Sequence, residues 1–244
     1  MRKVNLIPMA GDGQRFIDKG YNTPKPLIDI NGLPMIVRAA KSLPKADQWI
    51  FVCRGNHIEE SNIEKILENY FPGSLVIEVD HLTEGQASTC LLSKEYLFPD
   101  DQLTIGACDN GMLYNSKEFS KLINKYDAVI WTFRNNPAVM QNPKMYGWVK
   151  INELGIASEI SCKIPISTKP LNDHAVIGSF SFKKAETFLK CAEKMIEKNR
   201  RVNNEFYLDV VMDECILNGH TVMPFEVNEY TCWGTPKDLE NFLK

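Results

Sequence analysis

The residues best suited to chemistry lie near the start of the chain, in Ala10-Gly11-Asp12-Gly13-Gln14-Arg15-Phe16. Glycines at this spacing let backbone N–H groups approach an anion closely and form a nest around phosphate oxygens. Arg15 adds a planar cationic fork matched to the same oxygens. The loop departs from the dinucleotide fingerprint, which needs a third glycine where Phe16 stands, and from the P-loop, which needs Gly-Lys-Ser/Thr. Pro24-Lys25-Pro26-Leu27 follows, and the flanking prolines predict an extended segment that limits where the Lys25 ammonium points. Gln86, within Thr83-Glu84-Gly85-Gln86-Ala87, can both donate and accept hydrogen bonds. Asp109, within Ala107-Cys108-Asp109-Asn110-Gly111, is a hard carboxylate suited to a divalent cation facing phosphates. The histidines at 57, 81, 174 and 220 have no metal-binding spacing, and no Ser or Cys elbow accompanies them.

These residues need a scaffold, and the hydrophobic pattern predicts one. Residues 4–9 read as a buried strand, 33–43 as a helix, 49–53 as a strand and 59–70 as an amphipathic helix. A strand at 75–79, a helix at 86–97, a strand at 102–107, a helix at 116–125 and a strand at 127–133 continue the alternation. The second half reads as strands at 147–151 and 176–182 with a turn-rich stretch between them. Helices at 184–198 and 205–217 and a strand at 221–227 follow. Thr235-Pro236 fits an N-cap with proline at the first helical position, opening a last helix. Short strands alternating with helices predict an α/β fold with a doubly wound, mostly parallel sheet, to which the second half adds mixed strands. In such sheets ligands sit beyond the carboxyl ends of the strands, where the glycine loop and Asp109 fall. The expected organisation is a single domain whose second half, residues 134–244, completes the pocket.

Composition narrows the function classes. The 244 residues are 44% hydrophobic and 24% charged, the balance of a globular protein large enough to bury a core without disulfides or metals. Lys and Arg total 28 against 31 Asp and Glu, with no basic block, so nucleic acid is not expected as a partner. No apolar run approaches the ~18 residues of a membrane span, and the first residues lack the pattern of a signal peptide. A cytoplasmic protein is expected, with its seven cysteines reduced.

Taken together, G-x-G-x-R-F, P-K-P-L and G-x-P-M within the first ~35 residues resemble the sugar-1-phosphate nucleotidyltransferases, also called nucleoside-diphosphate-sugar pyrophosphorylases. The resemblance implies a nucleotide-binding half at 1–133 and a sugar-phosphate-binding half at 134–244. It implies a nucleoside triphosphate, with a pyrimidine base favoured, and a phosphorylated sugar or polyol as partners, Mg²⁺ as cofactor and pyrophosphate as leaving group. It implies that Ala10, Gly11 and Gly13 hold the triphosphate, Arg15 and Lys25 stabilise charge in the displacement, and Gly85 and Gln86 meet the base. Asp109 then matches the Mg²⁺ ligand, with Asn110 beside it. Lys163, Gly178 and Glu205 match the stations that face the sugar phosphate, although Cys162 and Ile164 depart from the pattern around Lys163. Small members of the family often form dimers or tetramers.

One departure stands out in Tyr230-Thr231-Cys232-Trp233-Gly234-Thr235-Pro236. Relatives place a second Mg²⁺-binding aspartate where Cys232 stands, and a thiol is a poor partner for a hard cation. Three readings follow: Asp109 suffices with phosphates and water, Glu226 or Glu229 supplies the missing charge, or the chemistry is changed or lost. The first is favoured. C-W-G-T-P and R-V-N-x-E-F-Y also resemble nucleotidyltransferase-like proteins of bacterial capsule and surface-polysaccharide clusters. A nucleotide-sugar-dependent glycosyltransferase or a non-catalytic nucleotide-binding protein are the alternatives. The first of these lacks its usual D-x-D motif here.

Overall fold

The computed structural model describes residues 1–244 apart from the side chains of Asn56 and Glu60. Its strands in chain order are β1 (Lys3–Met9), β2 (Asp29–Ile30), β3 (Leu33–Pro34), β4 (Gln48–Arg54), β5 (Leu75–Val79), β6 (Gln102–Ile105) and β7 (Asn110–Leu113). They continue as β8 (Ala128–Phe133), β9 (Gly147–Ile151), β10 (Ala157–Cys162), β11 (His174–Phe182), β12 (Val222–Glu226) and β13 (Glu229–Cys232). In the nine-stranded central sheet, β5, β4, β1 and β6 lie side by side in parallel. β11 enters antiparallel beside β6, β8 joins its other edge, and β12 runs parallel to β8. The β9–β10 hairpin packs antiparallel against the first residues of β11.

The near-continuous apolar runs are strands buried on both faces. Val4, Leu6, Ile50, Val52 and Ile130 face one layer with the Ala185–Glu197 and Leu208–Leu217 helices. Ile7, Met9, Phe51, Cys53 and Trp131 face the other, where the Met35–Lys41, Ile63–Tyr70 and Ser116–Lys125 helices supply partners. A smaller cluster of Phe16, Ile28, Ile30, Met35, Trp233 and Leu239 ties the segment after β1 to the C-terminal helix. Thr235 caps that helix, accepting a 3.2 Å bond from the Asp238 N–H, as the sequence predicts.

Several elements differ from the sequence expectation. The helix expected at 59–70 is two helices, Gly55–Ser61 and Ile63–Tyr70, broken at Asn62 with φ +53°, a conformation that asparagine tolerates. The helix expected at 86–97 ends at Leu91 and gives way to a 3₁₀ turn at Lys94–Tyr96. The helix expected from 205 begins at Leu208, which leaves Glu205 outside it. The turn-rich stretch contains β10, whose register shifts between Ala157 and Glu159, and this irregularity breaks the strict alternation of a strand. β7 and β13, where the sequence reading assigns no element, pair antiparallel in a sheet of their own and bring Cys232 opposite Asn110.

Candidate active site

A cavity of about 360 Å³ opens at the carboxyl ends of β1 and β6. Ala10, Gly11 and Gly13 line it from the loop after β1, and Cys108 and Asp109 from the turn between β6 and β7. Gly85 and Gln86 form another wall, and Gly178, Glu205 and Leu208 close the side built by the second half. With Lys25 and Pro26, residues from six separate stretches of sequence thus meet at one crevice, the position the strand order favours for a ligand.

Gly13 adopts φ +66° and opens the short Gln14–Ile17 helix; a Cβ there would lie 3.1 Å from the Lys25 Cβ. Lys25 itself sits in a 3₁₀ turn, Lys25–Leu27, and not in the extended segment that its flanking prolines predict. The extended conformation is confined to Pro24, with ψ 135°, and the chain turns immediately after it. The Lys25 ammonium forms an ion pair with Asp109 and lies 5.7 Å from the centroid of the buried Phe16 ring. Burial works to lower the Lys25 pKa, but the Asp109 carboxylate, with Cys108 and Cys232 nearby, outweighs it and the pKa is raised. Lys25 is therefore a cation held in place, able to stabilise negative charge arriving in the cavity.

Gly85 is the hinge of the opposite wall. Its φ of +124° and ψ of 177° belong to a region that is essentially glycine-only, and a Cβ would lie 2.6 Å from Phe206 N and 2.7 Å from Phe206 O. The close approach exists because Phe206 N donates to Glu84 O at 2.8 Å and Ala87 N donates to Phe206 O at 3.0 Å. These bonds set Glu205 beside Gly85, whose added Cβ would lie 3.2 Å from the Glu205 Cβ. Thr83 and Thr89 share a 2.5 Å hydroxyl bond, and the Thr89 hydroxyl also donates to Gly85 O at 3.1 Å, bracing the same turn. Burial, then Glu205, pushes the neighbouring Tyr207 hydroxyl up to about 12.

Three expected residues do not line this cavity. Arg15 is exposed on the short helix beside the glycine loop. Asn110 is buried and donates to Ile177 O at 2.7 Å, so its side chain holds β11 where Gly178 forms the irregularity between Val176 and Phe180. Lys163, in a left-handed conformation at φ +64°, donates to Met145 O at 2.6 Å and lies 5.3 Å from the Tyr207 ring centroid. Conversely, Cys108, Thr83, Thr89 and Leu208 line the cavity without having been singled out in the sequence. Their position beside Asp109, Gly85 and Glu205 was the available signal. His174 hydrogen-bonds Thr132 at 3.0 Å, away from this cavity.

The donor set is compatible with a hard cation in a restricted way. A Cβ on Gly234 would lie 3.3 Å from both Asp109 Oδ2 and Cys232 Sγ, so carboxylate and thiol face each other across that glycine. Burial, then Asp109, pushes the Cys232 thiol up to about 11, leaving it neutral and a poor ligand for Mg²⁺ near neutral pH. Glu226 is engaged by Arg134 at 2.5 Å, and Glu229 pairs with Leu113 at the far end of β13; neither lines the cavity. Among the described residues no group of three or more His, Cys, Asp or Glu side chains is placed to hold a metal ion. Asp109 fits Mg²⁺ only as one carboxylate among phosphate and water ligands.

A twisted, mostly parallel sheet with this crevice and extra antiparallel strands is the fold of the nucleotide-sugar pyrophosphorylases and sugar-phosphate nucleotidyltransferases. The nucleoside-diphosphate-sugar pyrophosphorylase from Vibrio cholerae RC9 superposes with a TM-score of 0.80 over 98% of this chain and 99% of that one, at 19% identity. The inositol-1-phosphate CTP transferase from T. maritima gives 0.77 over 99% and 94% at 15% identity. A UDP-glucose pyrophosphorylase from Acinetobacter baumanii gives 0.74 over 100% and 92% at 17% identity. No protein-family model and no curated protein matches the chain.

Proposed function

We propose that the protein transfers a nucleotidyl group from a nucleoside triphosphate to a sugar 1-phosphate or similar phosphorylated metabolite, releasing pyrophosphate. One observation carries the reading: the glycine loop, the Lys25–Asp109 pair, Gly85–Gln86 and Glu205 surround a single cavity in a fold shared with such enzymes. In the reaction an acceptor phosphate oxygen bonds to the α-phosphorus as the bond from that phosphorus to the departing pyrophosphate oxygen breaks. Charge gathers on the non-bridging and leaving oxygens, and fixed cations lower the barrier without a covalent protein intermediate. Lys25 is assigned that role, with backbone N–H groups of Ala10, Gly11 and Gly13 cradling the triphosphate. Arg15, outside the cavity, is assigned to the outer phosphates.

Gln86 is proposed to hydrogen-bond the base, and the motif resemblance favours a pyrimidine triphosphate. Glu205 and Gly178 face the acceptor, and Lys163 and Asn110 act from outside the cavity. Asp109 would hold Mg²⁺, which neutralises phosphate charge when bound. The product is assigned to surface-polysaccharide assembly through the resemblance of C-W-G-T-P and R-V-N-x-E-F-Y. The free state of all seven cysteines suits a cytoplasmic setting. Among the described residues no helix is long and apolar enough to cross a membrane.

The test is pyrophosphate release with Mg²⁺ from the four ribonucleoside triphosphates and dTTP, each against a panel of phosphorylated sugars and polyols. Release that requires one triphosphate and one acceptor establishes the reaction and names both substrates. Binding of a nucleotide without turnover by any acceptor would replace this reading with the binding-protein one.

A further inference from the structure

Arg201 touches neither the glycine loop nor Asp109, and it does not line the cavity. It nevertheless has an unusual set of partners. Its Nη2 meets Glu84 Oε1 at 2.7 Å, Nε donates to Asn199 Oδ1 at 2.7 Å, and Nη1 donates to Asn204 O at 3.2 Å. The guanidinium carbon also lies 3.9 Å from the centroid of the Phe206 ring.

Those partners belong to two different walls. Val202 and Glu205 exchange both backbone bonds at 3.0 Å around Asn203 and Asn204, whose φ values are +49° and +64°. This is a two-residue hairpin of the type that needs positive φ at both central positions. Asparagine suits the left-handed turn positions, but so short a hairpin is marginal on its own and depends on its surroundings. The hairpin presents Glu205 to the cavity. Glu84 immediately precedes Gly85 and Gln86, which present the other wall.

We infer that Arg201 is a positioning residue that locks the Glu205 hairpin to the Gly85–Gln86 turn, so that the two walls of the cavity keep one register. The ion pair alone is too weak to do this, because Glu84 is 63% exposed. Arg201 acts through its network: one planar fork joins the hairpin, its turn carbonyl and Glu84 while stacking on Phe206. The functional consequence rests on the nucleotidyl-transfer reading, in which one wall meets the nucleotide and the other the acceptor. Binding on one side then reinforces the geometry of the other.

Two measurements on the full chain test this. The first, amide hydrogen exchange without substrate, compares wild type with Arg201→Ala, Glu84→Gln and the distant surface variant Lys190→Ala. Arg201→Ala is expected to speed exchange at both the Ala87 and Phe206 amides by about tenfold, Glu84→Gln less, and Lys190→Ala not at all. Faster exchange at Phe206 with Ala87 unchanged would overturn the inference, as would no change at either. The second uses the triphosphate and acceptor found by the pyrophosphate assay. The dissociation constant for triphosphate is expected to rise about tenfold in Arg201→Ala. Any tightening of triphosphate binding by the acceptor in wild type is expected to be reduced, an effect that general loosening at constant melting temperature does not produce. Unchanged affinity and coupling would overturn the functional part. If no substrate pair is found, the exchange result still decides whether Arg201 locks the walls, while the nucleotidyl-transfer reading fails separately.

Discussion

Lys25 and Asp109, 84 residues apart in the chain, form an ion pair inside the cavity with only 18% and 26% of their side chains exposed. The pair fixes the ammonium in the cavity, largely shielded from water, where the proposed reaction would develop phosphate charge. Lys25→Ala is expected to lower the rate of pyrophosphate release by about a hundredfold to a thousandfold, the range for loss of one preorganised charge-stabilising donor. Arg15→Ala, altering an exposed side chain outside the cavity, should cost much less. Steady-state kinetics of both variants, with circular dichroism to verify the fold, checks the contrast. Equal losses would show that Arg15 enters the site during turnover.

Asp109→Asn removes the negative charge that pairs with Lys25 and that is proposed to hold Mg²⁺. The rate should fall and the Mg²⁺ concentration for half-maximal activity should rise, measured by titrating Mg²⁺ at saturating substrates. An unchanged Mg²⁺ dependence would separate Asp109 from the cation.

Gly85→Ala places a methyl group 2.6–2.7 Å from the Phe206 backbone and forces a backbone conformation that alanine does not tolerate. The 83–87 turn must then separate from Phe206, breaking the two backbone bonds that join the walls. A stability loss on the order of 2–4 kcal/mol is expected, read as the shift of a urea unfolding midpoint. Nucleotide affinity should fall with it.

Cys232 supplies a gain-of-function test. Cys232→Ser should leave thermal stability within about 1 kcal/mol of wild type, because the thiol is neutral and the side-chain size is nearly conserved. Cys232→Asp should set a second carboxylate facing Asp109 across Gly234 and destabilise the protein without metal through like-charge repulsion. Added Mg²⁺ should restore at least on the order of 1 kcal/mol to that variant, more than to wild type, in melting experiments with and without the ion. Equal Mg²⁺ effects in both would show that residue 232 is out of reach of the cation.

Asp209 carries a pH prediction. It is 8% exposed, packs over Gly147, and its Oδ1 has no hydrogen-bond partner among the described residues. Burial raises its pKa from 3.8 to about 6, with Lys163 opposing the rise. The folded state therefore holds this proton more tightly than the unfolded chain, and the associated stability declines as pH rises from about 4 to 6. Above that window the ionised carboxylate costs about 3 kcal/mol relative to low pH. Asp209→Asn should raise the melting temperature at pH 8 and change it little at pH 4. A stabilisation equal at both values would assign the effect to packing.

The sequence by itself determined the parallel strands, because a strand buried on both faces is an apolar run such as 4–9 or 49–53 that little else explains. Its motifs, through the resemblance they carry, also assigned Gly11, Gly13, Gly85, Gln86 and Asp109 to one site, and the folded chain brings these five to one cavity. Lys25 was recognisable, but its 3₁₀ turn was not, because flanking prolines limit their neighbours without fixing the path that packing selects. Only the tertiary structure decided what the distant pieces do. The pairing of β7 with β13 places Cys232 near Asp109, yet both strands are short and carry few of the alternating apolar residues that mark a sheet. Lys163 and Asn110 are turned to backbone carbonyls, and Arg201 reaches Glu84 across 117 residues of chain. Periodicity and turn preference are set by neighbours a few residues away, whereas these contacts are set by the folded path that brings remote backbone groups together.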